Sequence, residues 1–184
     1  MKSFVWLTVL TLLGLCLGPG PGPAAAADLK VGDKAPDFKL QASDGQIYRL
    51  SELEGKESVV LAWFPKAFTQ GCTIECKSLA EHGDLIKKYN AKYFMASVDP
   101  LEGEEGNKAF AQAYNADFPL LSDPTKETAK AYGVLGDHGF ANRWTFYVGK
   151  DGNILAIDKQ VKPATSAQDI AATLKQLGVE ERAK

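Results

Sequence analysis

The run Ser58-Val59-Val60-Leu61-Ala62-Trp63-Phe64 limits the folds open to this chain more than any other stretch. It is continuously apolar after its first residue and rich in β-branched and aromatic side chains, so it reads as a strand covered on both faces. Such a strand belongs in the middle of a sheet with layers on either side, which calls for alternating strands and helices elsewhere. From about Cys72 to Tyr89, the apolar residues Cys72, Cys76, Leu79, Ile86 and Tyr89 recur near helical spacing, while Lys77, Glu81, Lys87 and Lys88 fall off that stripe. A strand from Tyr93 to Val98, a helix from Asn107 to Tyr114, a short strand near Pro119 to Ser122 and a helix from Lys126 to Tyr132 follow. Residues Asp37 to Arg49 read as two short strands around Ser43-Asp44-Gly45, and strands Trp144 to Val148 and Ile154 to Asp158 flank the turn at Lys150-Asp151-Gly152-Asn153. A last helix begins near Ser166, where Ser166 and Asp169 stand in capping-box-like spacing, and ends before Gly178. The expected fold is α/β, a mixed central sheet flanked by helices with an N-terminal β-hairpin.

The first 27 residues differ in composition from the rest. Lys2 supplies a short positive end, Phe4 to Leu17 are largely apolar, and Ala25-Ala26-Ala27 offers a small-residue cleavage pattern before Asp28. The apolar run is shorter than the ~20 residues a helix needs to cross a bilayer, and the Gly-Pro alternation from Gly18 to Pro23 cannot continue a helix. Residues 1–27 therefore read as a signal peptide and 28–184 as one folded domain, exported to a periplasmic or secreted location with no stable membrane insertion after cleavage. With 21 Lys and Arg against 23 Asp and Glu, nothing favours nucleic acid as a partner. Of three cysteines, Cys16 leaves with the signal, and the close pair Cys72 and Cys76 remains. A structural disulfide framework needs more cysteines at wider spacing; a close pair points to redox or metal chemistry.

Cys72 falls where the central strand hands over to a helix, in the segment Phe64-Pro65-Lys66-Ala67-Phe68-Thr69-Gln70-Gly71-Cys72. A cysteine in a first helical turn sits among unpaired backbone N–H groups at the positive end of the helix dipole, which favours thiolate over thiol. Full ionisation contributes only about 2 kcal/mol to reactivity at neutral pH, so a fast thiol enzyme needs further contacts. A hydroxyl donor and a fixed cation would stabilise charge building on the sulfur and on a departing oxygen. Thr69 can supply the hydroxyl, and Pro65 can shape and dry the pocket while withholding a competing N–H.

Pro65, Thr69 and Cys72 reproduce the P-x-x-x-T-x-x-C pattern, and in this respect the chain resembles the peroxiredoxins, above all the bacterioferritin comigratory protein and peroxiredoxin Q branch. The resemblance extends through Ala35-Pro36-Asp37-Phe38, Phe118-Pro119-Leu120-Leu121-Ser122-Asp123-Pro124 and Arg143-Trp144-Thr145-Phe146. It implies a thioredoxin-like fold and a catalytic set of Cys72, Thr69, Pro65 and Arg143, with no cofactor. It also implies reduction of hydrogen peroxide or alkyl hydroperoxides through a Cys72 sulfenic acid, reset by a second thiol, for which Cys76 is the candidate. The electron donor would be a thioredoxin-like protein or a small thiol, and the expected state is a monomer or weak dimer. In that branch the resolving cysteine on this helix usually lies five residues on; here the interval is four. Residues so spaced on an intact helix have Cβ atoms ~5–6 Å apart, beyond the roughly 3.5–4.5 Å of a disulfide, so the first turns must unwind for the bond to close.

Simpler readings stand beside these. Cys76 shares a face with Leu79 and Ile86 and fits a core cysteine without redox function. Glu75 could line the site, though a solvated first-turn acid that complements the dipole is the simpler reading, and Glu102 to Glu105 read as a solvated loop. His82 is expected on the outer face of its helix. The set Cys72, Cys76 and His138 resembles the copper site of the exported Sco-type chaperones and suits a soft metal, but that reading leaves Pro65, Thr69 and Arg143 without roles. Thioredoxin-like disulfide reduction expects Cys-x-x-Cys close after the central strand, a spacing this chain does not have.

Overall fold

The computed structural model describes residues 28–182; the expected signal segment 1–27 lies outside them. All six residues of β3 (Ser58–Trp63) are buried. Side chains alternate across a strand, so Val60 and Ala62 enter one core and Val59, Leu61 and Trp63 the other. β3 runs parallel to β4 (Ala91–Ser97), from Ser58 opposite Ala91 to Trp63 opposite Ala96, and antiparallel to β6 (Thr145–Val148). β5 (Leu120–Ser122) adds in parallel to β4. Antiparallel strands complete both sides: β1 (Lys39–Ala42) with β2 (Ile47–Arg49), and β7 (Ile154–Asp158) beside β6. The order β2-β1-β5-β4-β3-β6-β7 is the expected mixed sheet with an N-terminal hairpin.

Among the described residues five α-helices flank it: α1 (Gln70–His82), α2 (Asp84–Lys87), α3 (Asn107–Ala113), α4 (Glu127–Ala131) and α5 (Ser166–Gln176). Cys72, Cys76 and Leu79 of α1, Phe110 of α3 and Ile170 and Leu174 of α5 fill the core on one face. Ala129 of α4 joins Phe94, Tyr132, Val134 and Phe146 on the other.

Two expectations need correcting. The helix expected from Cys72 to Tyr89 divides at Gly83 into α1 and α2. A Cβ at Gly83 would lie 2.6 Å from the Tyr93 hydroxyl and 2.7 Å from the Leu79 carbonyl, so only a glycine lets β4 approach this closely. α5 begins at Ser166, as expected, but the expected pairing of Ser166 with Asp169 is not the one formed. Thr165 occupies the cap position and its hydroxyl donates to Asp169 (2.7 Å), whereas Ser166 is buried and its hydroxyl points back to Glu75.

Candidate active site

α1 begins where the chain leaves the carboxyl end of β3, the edge at which open α/β sheets place their sites. Thr69 is the cap residue, with extended dihedrals (φ −74°, ψ 152°), and Cys72 is the third helical residue. Its backbone N–H therefore belongs to the first turn, which has no intrahelical acceptor. Phe68 takes a left-handed φ of +63°, a conformation that costs a non-glycine residue roughly 1–2 kcal/mol. Its ring rests on Phe110 and Tyr114, with centroids 5.1 and 6.3 Å away.

The structure brings Arg143 to Cys72 from across the sheet. Arg143 lies just before β6, and its Nη2 donates to the Cys72 Sγ at 3.1 Å. The sulfur belongs to a fully buried residue. A Cβ on Gly71 would meet the same Nη2 at 3.2 Å, so the missing side chain leaves room for the guanidinium against the first turn.

Arg143 also donates through Nη1 to the Glu75 carboxylate. This corrects the expectation of a solvated Glu75, which is completely buried. Its other oxygen accepts a long 3.4 Å contact from the Ser166 hydroxyl. Burial pushes the Glu75 carboxyl up to about 7, against the opposing pull of Arg143 and Ser166. Glu75 is three residues after Cys72 and four before Leu79, a spacing that could have revealed its inward face.

Thr69 is exposed, and its hydroxyl donates to the Lys66 carbonyl at 2.9 Å. The one hydroxyl hydrogen is thus used within the loop, and turning it toward a substrate means giving up that bond. Pro65 lines an open depression of about 520 Å³ together with Arg143, Leu135, His138, Phe140 and Ala141. His138 stands exposed on this rim and His82 on the outer face of α1, as expected. Among the described residues no group of His, Cys, Asp and Glu is arranged to hold a metal ion. Cys72, Cys76 and His138 are therefore not assembled as a copper site.

Cys76 lies one turn beyond Cys72 and is fully buried among Leu79, Ile86 and their neighbours. Both thiols are free. Burial, reinforced by Glu75 and Cys72, pushes the Cys76 thiol up to about 12, which keeps it protonated and weakly nucleophilic in the folded helix.

A buried helix-start cysteine bridged to a guanidinium, on a mixed sheet with helices on both faces, defines a thiol-redox protein of the thioredoxin-like α/β class. Residues 31–157 match the AhpC/TSA family, and the chain belongs to that family, the peroxiredoxins. It is 32% identical to peroxiredoxin Bcp of Escherichia coli (strain K12) over 133 residues, covering 68% of this chain and 83% of the relative. Against alkyl hydroperoxide reductase E of Mycobacterium bovis the identity is 36% over 129 residues, 68% of this chain and 82% of the relative. Among solved structures, peroxidoxin BcpB of Mycobacterium tuberculosis superposes with a TM-score of 0.71 at 31% identity, covering 80% of this chain and 97% of that one. The protein is thus a thiol-dependent peroxidase of the bacterioferritin comigratory protein and peroxiredoxin Q branch.

Proposed function

We propose that Cys72 is the residue that attacks the peroxide. The observation that carries this reading is the Arg143 Nη2 contact of 3.1 Å to the Cys72 Sγ at the start of α1. The thiolate displaces on the terminal peroxide oxygen: an S–O bond forms, the O–O bond breaks, and the leaving alkoxide or hydroxide takes up a proton as alcohol or water. Cys72 is oxidised to sulfenic acid and the peroxide is reduced by two electrons. Arg143 braces the sulfur and the negative charge that develops on the oxygens. Pro65 walls the approach, and Thr69 donates to the peroxide after exchanging its bond to Lys66.

Both hydrogen peroxide and alkyl hydroperoxides fit this reading. The depression beside Arg143 is far larger than hydrogen peroxide needs, and Leu135, Phe140 and Ala141 give it an apolar wall for an organic substituent.

Cys76 then resolves the sulfenic acid, forming the Cys72–Cys76 disulfide with loss of water once the first turns of α1 unwind. A second reading, direct reduction by an external thiol, is favoured by one observation: Cys76 is buried and held protonated in the folded helix. A thioredoxin-like protein or small thiol closes the cycle in either case. The composition of residues 1–27 supports export to the periplasm or beyond, and no helix among the described residues is long and apolar enough to cross a membrane. The working state is a monomer or weak dimer, which sedimentation tests directly.

Hydrogen peroxide consumption by Cys72→Ser and His138→Ala tests the central assignment. The first is expected to be inactive and the second active. Turnover by Cys72→Ser, or its abolition by His138→Ala, would contradict it.

A further inference from the structure

The loop that carries Pro65 and Thr69 passes over the carboxyl end of β4, and at its midpoint the Ala67 backbone N–H donates to the Asp99 carboxylate at 2.8 Å. Ala67 directly precedes Phe68, the residue held at positive φ, so one hydrogen bond pins the loop immediately before its strained position. Asp99 is itself buried, and its orientation is set from below. The same carboxylate oxygen accepts from the Ser97 hydroxyl at 2.8 Å, and the Asp99 N–H donates back to Ser97 Oγ at 3.2 Å. Ser97 contacts the fully buried Asn107 of α3, whose amide reaches the Leu121 carbonyl (2.9 Å) and the Ser122 hydroxyl (3.0 Å) on β5. The network thus runs from β5 and α3, through Ser97 and Asp99, to the loop.

We propose that Asp99 is a positioning residue for the peroxidase reaction: through Ala67 it holds the Pro65–Thr69 loop, and with it the first turn of α1, in the geometry that presents Cys72 to the peroxide. Asp99 touches neither Cys72 nor Arg143 in any hydrogen bond of the structure, so its effect is indirect. A polar chain anchored in two other elements is a rigid support for a loop whose own conformation is unfavourable. The neighbouring Lys66–Glu105 ion pair, at 2.9 Å, joins the same two segments at the surface. Exposed as it is, that pair contributes little, so of the two ties the buried Asp99 bond is the stronger. The proposal rests on Cys72 being the attacking residue.

Rapid-reaction measurement of Cys72 oxidation by hydrogen peroxide, set beside alkylation of the same thiol by iodoacetamide, tests it in Asp99→Ala and Asp99→Asn. Alkylation needs the sulfur nucleophile but not a site shaped for peroxide. Because misplacing reacting groups by about an ångström costs roughly a hundredfold, Asp99→Ala is expected to slow peroxide oxidation by about ten- to a hundredfold and alkylation by less than about threefold. Asp99→Asn, whose amide oxygen still accepts from Ala67, is expected to recover most of the loss. An Asp99→Ala oxidation rate within about twofold of the parent, equal losses in the two reactions, or a folded Asp99→Asn as slow as Asp99→Ala would each overturn the proposal. If Asp99→Ala does not fold, Ser97→Ala frees the carboxylate to turn and is expected to show the same selective loss; unchanged oxidation in that variant would overturn the proposal. Peroxide turnover by Cys72→Ser would instead remove the underlying reading of the site.

Discussion

Arg143 pairs with the buried Glu75 through the same guanidinium that reaches Cys72, so one arginine serves a carboxylate and a thiol one helical turn apart on α1. The pair couples the charge of the site to the stability of the helix that carries it. Removing Arg143 would leave Glu75 buried without its cation, but a carboxyl already raised to about 7 can take up a proton. The main loss in Arg143→Met therefore falls on the reaction. Losing a fixed donor to the developing charge is expected to slow peroxide reduction by about 10²- to 10³-fold. Steady-state peroxide assays of the folded variant check this, and a loss below about fivefold would show that the contact is not used.

Burial of Glu75, against the opposing pull of Arg143, also sets a pH dependence. Folding raises the Glu75 carboxyl from 4.5 to about 7, so the native state holds a proton that the unfolded chain releases between those values. Stability falls as pH rises through this window, by roughly 3 kcal/mol at most, and levels off above it. Glu75→Gln carries no such proton. Urea unfolding across the window should show the advantage of the parent over Glu75→Gln shrinking as pH rises, and parallel curves would count against a raised carboxyl.

Cys76 is expected to be silent until the helix opens. Iodoacetamide at neutral pH should label Cys72 and spare Cys76, as read by peptide mass spectrometry. Cys76→Ala should form the Cys72 sulfenic acid at the parental rate while losing the internal disulfide. Slowed sulfenic acid formation in this variant would mean that Cys76 matters before resolution.

Phe140 bears on substrate choice. It is 43% exposed on the depression beside Arg143, and replacing it by alanine removes apolar surface that only an organic hydroperoxide can cover. Loss of contact worth about 1–2 kcal/mol predicts a roughly five- to thirtyfold rise in KM for cumene hydroperoxide. The kcat/KM for hydrogen peroxide should stay unchanged. Equal effects on the two substrates would contradict a role for this wall.

The fold was legible where one pattern dominated. Ser58 to Phe64 announced a doubly covered strand, and Ser43-Asp44-Gly45 and Lys150-Asp151-Gly152-Asn153 announced hairpins, because local turn chemistry and strand character agreed there. The break at Gly83 was visible only as a gap, since no apolar residue of the helical stripe falls between Leu79 and Ile86. The glycine itself answers to a contact distant in sequence, since a side chain there would meet the Tyr93 hydroxyl. The same holds in the site. Cys72, Thr69 and Pro65 were recognisable from their spacing, and Arg143 from the resemblance. The charge of Glu75 argued for solvent, but a partner distant in sequence carried it inside. Asp99 gave no sign of its bond to Ala67, because a single backbone hydrogen bond between distant segments leaves no periodic trace.

The most direct test of Cys72 as the attacking thiol is intact-mass measurement of the reduced chain 28–184 after one equivalent of hydrogen peroxide, beside Cys72→Ser. The parent should gain one oxygen or lose two hydrogens as the Cys72–Cys76 disulfide forms, with fragmentation placing the change on Cys72, while Cys72→Ser should remain unmodified. Oxidation of Cys72→Ser at the parental rate, or a parent left unchanged by peroxide, would contradict the account.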